Sequence, residues 1–357
     1  MLALDGTLMK PTSYARYPAN ADPALRQPTA GTLIDVRDVR IYYTTTAGEA
    51  KVVDGVDLTI HRDEIFGLAG ESGCGKSTLV EGLLRLIKPP GYIKSGSAMF
   101  YPATSDDLGD GPLDLLTLSR AEMRQLRWKH ISYVPQGAMN ALNPVMRIGD
   151  QVVDAILAHS PITREEAIDR MLMQLRMVGL PPQIANQYPH ELSGGMKQRV
   201  TIASSVTLTP DILVADEPTT ALDVNIQRVI LQELKEIRER LSLSIIYVSH
   251  DMAVHAELAD RMGIMYAGEV VEVGRTLDIF KHPQHPYTQG LIRSIPRLGG
   301  ARERLEGIPG LAPSPLAWPG GCKFHPRCPM AMEICKHQAP TMREVEPGRQ
   351  VACHLYD

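Results

Sequence analysis

The chain has 357 residues, 44% of them hydrophobic and 22% charged, with a formal net charge of −4. This is the balance of a soluble globular protein, not of a disordered or coiled-coil chain, and it lacks the basic footprint of a nucleic-acid binder. No run approaches the roughly 18 apolar residues of a membrane span, and Met1–Gly31 lacks the basic start and apolar core of a signal peptide, so a reducing cytosolic setting is expected for the five cysteines.

Residues 1–30, with four prolines and little periodicity, read as a tail. Leu33–Val36, the alternation Val39, Ile41, Tyr43, and Val52–Ile60 read as strands. Ile65–Ala69 is short and wholly apolar, as in a strand buried on both faces, and a helix is expected over Lys76–Leu86. Pro102–Pro112, with Asp106, Asp107 and Asp110, reads as a solvent-facing acidic loop. Further strands are expected at Ile131–Val134, Asp211–Ala215 and Leu243–Val248. Between the first two, Met139–Tyr188 carries helical pattern only. Val224–Leu241 places Ile226, Ile230, Leu234, Ile237 and Leu241 on one helical face. Strands alternating with helices predict a mostly parallel α/β sheet with a helical insertion. After Phe280 the periodicity fades. Residues 281–357 hold 11 of the 27 prolines and four of the five cysteines, a texture that needs a staple.

Gly70-Glu-Ser-Gly-Cys-Gly-Lys-Ser-Thr78 fits G-x-x-x-x-G-K-[ST], follows a buried strand and opens a helix, the context that makes the pattern a phosphate site. Gly70, Gly73 and Gly75 permit an anion nest of backbone N–H groups with Ser72, Cys74 and Thr78 in the same loop. Lys76 is expected to reach the β- and γ-phosphates and Ser77 to ligate Mg²⁺. Cys74 reads as a small filler, not a redox group. Ile212-Leu-Val-Ala-Asp216-Glu217-Pro218 is a strand ending in two carboxylates, Asp216 suited to Mg²⁺ and Glu217 to orienting or deprotonating water. Leu192-Ser-Gly-Gly-Met-Lys-Gln-Arg199 starts a helix capped by Ser193, where Gly194 and Gly195 allow close approach to a phosphate.

This last run resembles the signature motif of ABC-type ATPases, and the rest of that family's pattern stands in order. Gln136 resembles the Q-loop glutamine, Thr220-Ala-Leu-Asp223 the D-loop, His250 the switch histidine, and Tyr43 the aromatic residue that stacks on adenine. The resemblance implies an ABC-type nucleotide-binding domain: a RecA-like, mostly parallel sheet with an antiparallel β subdomain and a helical insertion at about 140–200. It implies catalytic roles for Glu217, His250 and Gln136, with Mg²⁺ held by Ser77, Gln136 and Asp216. It also implies head-to-tail pairing in which Ser193, Gly194, Gly195 and Asp223 contact ATP held by a second ATPase subunit.

Gly137–Asp150 and His285–Leu291 are similar to the ATPase subunits of oligopeptide and dipeptide importers. In that branch two separate permease subunits cross the membrane, an extracytoplasmic solute-binding protein delivers the cargo, and the second ATPase is usually a paralogue. The ATPase sits peripherally on the cytoplasmic face of the plasma membrane. Cargoes of the branch include peptides, nickel, opines and oligosaccharides. The boundaries expected are 1–30 for the tail, 31–285 for the nucleotide-binding domain and 286–357 for a loop-rich extension. There, Cys322, Cys328, Cys335 and Cys353, spaced C-x5-C-x6-C-x17-C, resemble the branch's C-terminal region, whose members carry a [4Fe–4S] cluster. The residues themselves leave zinc, disulfides or unliganded thiols open, although the tight C-x2-4-C pairs of zinc sites are missing. The same motifs also occur in two other classes, a soluble ABC ATPase of DNA repair or translation and a catalytically silent regulatory cassette. The single acidic cassette speaks against the first, and intact Glu217 and His250 against the second.

Overall fold

The computed structural model describes residues 31–103, 111–220, 222–295 and 307–357; the expected tail at 1–30, Asp106, Asp107 and Asp110 of the acidic loop, and Ala221 lie outside them. Two long strands, β1 (Thr32–Thr45) and β2 (Gly48–His61), form an antiparallel hairpin in which the alternate residues Val56, Leu58 and Ile60 are buried. With β4 (Gly91–Phe100) and the short β5 (Leu113–Asp114), they make a four-stranded antiparallel sheet.

The second sheet has eight strands. Its parallel centre comprises β3 (Ile65–Ala69), β6 (Ile131–Val134), β7 (Ile212–Asp216), β8 (Ser244–Ser249) and β9 (Arg261–Tyr266). All residues of β3, β7 and β8 are buried, which is why these segments read as continuous apolar runs rather than alternating ones. On the far side β10 (Glu269–Arg275) pairs antiparallel with β9, and β12 (Arg349–Val351) and β11 (Arg343–Glu346) extend the sheet beyond it. The C-terminal region therefore adds its own edge to the sheet that carries the phosphate loop. Nothing in the hydrophobic pattern of β10 announced this, because Glu272 interrupts Val270, Val271 and Val273 while being fully buried itself.

Helices cover both faces. The helix after the phosphate loop, α1, runs Lys76–Leu83, shorter than expected. It closes because Arg85 takes a left-handed conformation, with the Leu86 N–H bonding back to the Glu81 carbonyl at 2.8 Å. Next comes α2 (Arg120–Leu126). The helical insertion is built from α3 (Ile148–His159), α4 (Arg164–Met177) and α5 (Gly194–Ser205), and shares one apolar core with the underside of β7 and with α6 (Val224–Leu241). The last helices are α7 (Met252–Leu258), α8 (Thr276–Lys281), α9 (Pro286–Arg293) and the single turn α10 (Ile334–His337). The expected α/β architecture with an antiparallel sheet and a helical insertion is the one observed.

Candidate functional site

The phosphate loop connects β3 to α1 between two walls that fix its glycines. A Cβ on Gly70 would stand 2.2 Å from the Met265 carbonyl oxygen and one on Gly75 2.5 Å from that of Val52; Gly70, Gly73 and Gly75 all have positive φ. Lys76, almost fully buried, donates from Nζ to the carbonyls of Gly70 (2.8 Å) and Glu71 (3.0 Å). Cys74 is buried beside it, its Sγ 3.7 Å from Lys76 Nζ, and burial pushes its thiol pKa up, which suits a filler and not a reactive thiolate.

Strand order brings β7 to the phosphate-loop side of the sheet through β8. Ser77 Oγ donates to Asp216 Oδ1 at 3.1 Å, and Tyr133 donates to Asp216 Oδ2 at 3.5 Å. Burial raises the Asp216 carboxyl to about 6, against the Ser77 hydrogen bond that pulls it down. Glu217, one residue beyond the strand, has φ 45° and bonds its N–H to the Val248 carbonyl. Its carboxylate is the centre of a network. His250 Nδ1 lies 2.8 Å from Oε1, and Gln136 Nε2 and Thr220 Oγ1 each donate to Oε2 at 3.0 Å. Burial pushes this carboxyl up, but the bonds from His250 and Thr220 outweigh it and hold it below the ordinary glutamate value, so it is ionised at neutral pH. Gln136 thus bonds to Glu217 through the same amide whose oxygen was expected on Mg²⁺. Thr220, read from sequence only as the start of the D-loop, is a direct partner of the carboxylate.

Ser193 caps α5 by accepting the Met196 N–H at 3.3 Å, and Asp223 caps α6 by accepting from Asn225 and Ile226. A Cβ on Gly195 would meet Ile226 Cγ2 at 2.7 Å, so this glycine is also required by the packing of α5 on α6. Tyr43 is half-buried near the end of β1, paired with Ala50 and Gly91, and a Cβ on Gly91 would lie 2.6 Å from its ring.

A family profile described as ABC transporter matches residues 53–220, and one described as oligopeptide/dipeptide transporter, C-terminal region, matches residues 271–335. The dipeptide transport ATP-binding protein DppD of Caldanaerobacter subterraneus subsp. tengcongensis is 43% identical over 327 residues, covering 91% of this chain and 97% of that protein. The chain belongs to the ABC transporter family. As an ATP-binding subunit of that family it binds and hydrolyses ATP, with Mg²⁺. The oligopeptide transport ATP-binding protein OppD of Escherichia coli is 39% identical over 331 residues, covering 92% of this chain and 95% of its own length. Among solved structures, the dimeric cassette MJ0796 in a post-hydrolysis state bound to ADP and Pi superposes with a TM-score of 0.59 and 28% identity, covering 68% of this chain and 99% of that one.

In the ABC subunit's C-terminal region none of the four cysteines is in a disulfide, and all four line one narrow cavity with Phe324 and His354. Burial raises the thiols of Cys328 and Cys353, and that of Cys322 to about 11. Among the described residues no group of three or more His, Cys, Asp or Glu side chains is placed to hold a metal ion. No described helix is long and apolar enough to cross a membrane.

Proposed function

We propose that this chain is the ATPase of an importer for peptides or related solutes, working on the cytoplasmic face of the plasma membrane with two permease subunits, a solute-binding protein and a second, paralogous ATPase. The observation that carries the chemistry is the Glu217 carboxylate, ionised and held by His250, Gln136 and Thr220 at the strand end beside the phosphate loop. Glu217 orients and deprotonates the attacking water. His250 holds Glu217 and contacts the γ-phosphate, and Gly70–Thr78 cradles the phosphates, with Lys76 leaving its loop carbonyls for them. Tyr43 stacks on adenine. Ser77 and Asp216, already adjacent, and Gln136 would hold Mg²⁺, which neutralises phosphate charge when bound.

Ser193, Gly194, Gly195 and Asp223 act on the ATP of the facing subunit. In support, the capped N-terminus of α5 is a helix end suited to an anion, and the solved relative MJ0796 is dimeric. Residues 31–285 form the nucleotide-binding domain, with the helical part at about 140–200, and residues 286–357 the extension. An apolar groove between the cassette and the helical insertion, lined by Leu86, Trp128, Leu142 and Val152, favours docking of a permease helix. The four cysteines hold a [4Fe–4S] cluster that staples the extension; their common cavity supports this. The relatives named above are transport subunits, and none bears on DNA repair or translation.

Two measurements test the reading. ATP turnover that climbs with protein concentration and collapses when Ser193 is replaced by Arg is expected; a monomer indifferent to both would sink the facing-subunit mechanism. Iron and acid-labile sulfide near four of each per anaerobically purified chain, lost in Cys328→Ser, are expected for the cluster.

A further inference from the structure

Glu71, inside the phosphate loop, is gripped from outside the cassette. Arg327 forms a two-pronged ion pair with it, Nη1 to Oε2 at 2.8 Å and Nη2 to Oε1 at 2.9 Å. Arg327 is almost entirely buried (6% of its side chain exposed), anchored by Nε to the Pro309 carbonyl at 2.9 Å and lying against the Tyr266 ring. The backbone of Glu71 is held as well. Its N–H donates to the buried Tyr287 hydroxyl at 2.9 Å, while its carbonyl accepts from Lys76. Tyr287 packs with Tyr266 and Phe324 in one aromatic cluster, and Arg327 directly precedes Cys328. Both grips come from the segment after residue 285.

A carboxylate in a loop that must attract several phosphate charges is a liability, because an uncompensated negative charge this near repels the nucleotide. A bidentate guanidinium removes that repulsion and fixes the carboxylate's direction. We propose that Arg327 is a positioning residue for ATP: it neutralises Glu71 and, with Tyr287, holds the start of the phosphate loop, so that nucleotide affinity depends on the docked extension. The proposal rests on reading Gly70–Thr78 as the nucleotide site.

The test is a double-mutant cycle on the full-length chain, reading the Kd of Mg·ATP with a fluorescent analogue in competition, together with KM and kcat. Arg327→Ala in the wild-type background is expected to weaken binding about tenfold and to raise KM, with kcat changed less than about threefold. In the Glu71→Gln background, where no charge needs compensation, the same substitution is expected to cost less than about twofold. Equal losses in both backgrounds, or no loss in the wild-type one, would overturn the proposal. If Arg327→Ala does not fold, Arg327→Lys is read in its place. The lysine keeps the charge without the fork, so about a threefold loss that Glu71→Gln abolishes is expected, and an unabolished or absent loss overturns the idea. A wild-type chain that bound no Mg·ATP would instead overturn the nucleotide-site reading itself.

Discussion

In the cassette, β3, β7 and β8 bury every residue, and the polar groups that matter sit just past the strand ends. Residues 307–357 bury only Phe324, Cys335, Val351 and Ala352 among apolar side chains, against Lys323, Arg327, Arg349 and His354 among polar ones. Lys323 alone bonds to Asp54 (3.0 Å), Glu269 (2.9 Å) and the Ala267 carbonyl (3.1 Å), while Trp318 donates to the Lys51 carbonyl. The cassette is thus assembled by area removed from water, which is forgiving of exact geometry. The extension is assembled by buried charges that are costly unless each finds its partner. Such a region is sensitive to single polar substitutions in a way the cassette's strands are not.

The sharpest way to separate the two is to damage chemistry without touching packing. Glu217→Gln is expected to lower kcat about a thousandfold while ATP still binds and the extension stays docked. Turnover within tenfold of wild type would show that another group serves the water. Next in size, Arg349→Ala removes the partner of fully buried Glu272, which it meets at 2.7 Å between β12 and β10. The buried Glu272 charge, left with only the Gln284 and His285 N–H groups, is expected to cost about 3 kcal/mol in chemical denaturation. An unchanged midpoint would mean that the extension's edge strands contribute nothing to the sheet.

Acid is expected to strain the cassette through two buried imidazoles. Burial lowers His255, on α7, to about 4 and His285, which caps α9, to about 3. The unfolded chain takes up protons near its ordinary value of about 6.5, whereas the folded chain resists them. The stability these groups provide is therefore complete above that value and lost as pH falls towards 4. At pH 5 each is expected to have forfeited about 2 kcal/mol. Urea midpoints at pH 7.5 and 5.0, in wild type and in His255→Gln, measure this, and an equal acid drop in both proteins would exclude His255 as a source. The smallest effect tests forgiveness inside the cassette. Gly195→Ala is expected to cost about 1 kcal/mol through its contact with Ile226, recovered in part by Ile226→Ala. No thermal shift would show that α5 moves aside freely.

The phosphate loop, the acidic strand end and the capped helix at Ser193 were legible because each joins a local turn signal to a hydrophobic period, and both are written in consecutive residues. Helix α6 appears over Val224–Leu241 as its period dictates. The bond from Thr220 to Glu217 stayed hidden because the D-loop resemblance marks a segment and gives that hydroxyl no partner; only the turn that brings it to the carboxylate does. The end of α1 was misjudged for a related reason, since the left-handed backbone at Arg85 defies that residue's helical preference.

By itself, then, the sequence determined the buried strands β3, β6, β7 and β8, the helix α6 and the strand, glycine-rich loop and helix at Ile65–Leu83, since burial on one or both faces leaves a period that short-range reading detects. Only the tertiary structure decided that β12 completes the cassette's sheet, that four cysteines spread from 322 to 353 share one cavity, and that Arg327 meets Glu71 across 256 positions of chain. Those pairings join residues by charge and shape at distances along the chain where no period survives, so they exist only once the apolar core has brought their elements together.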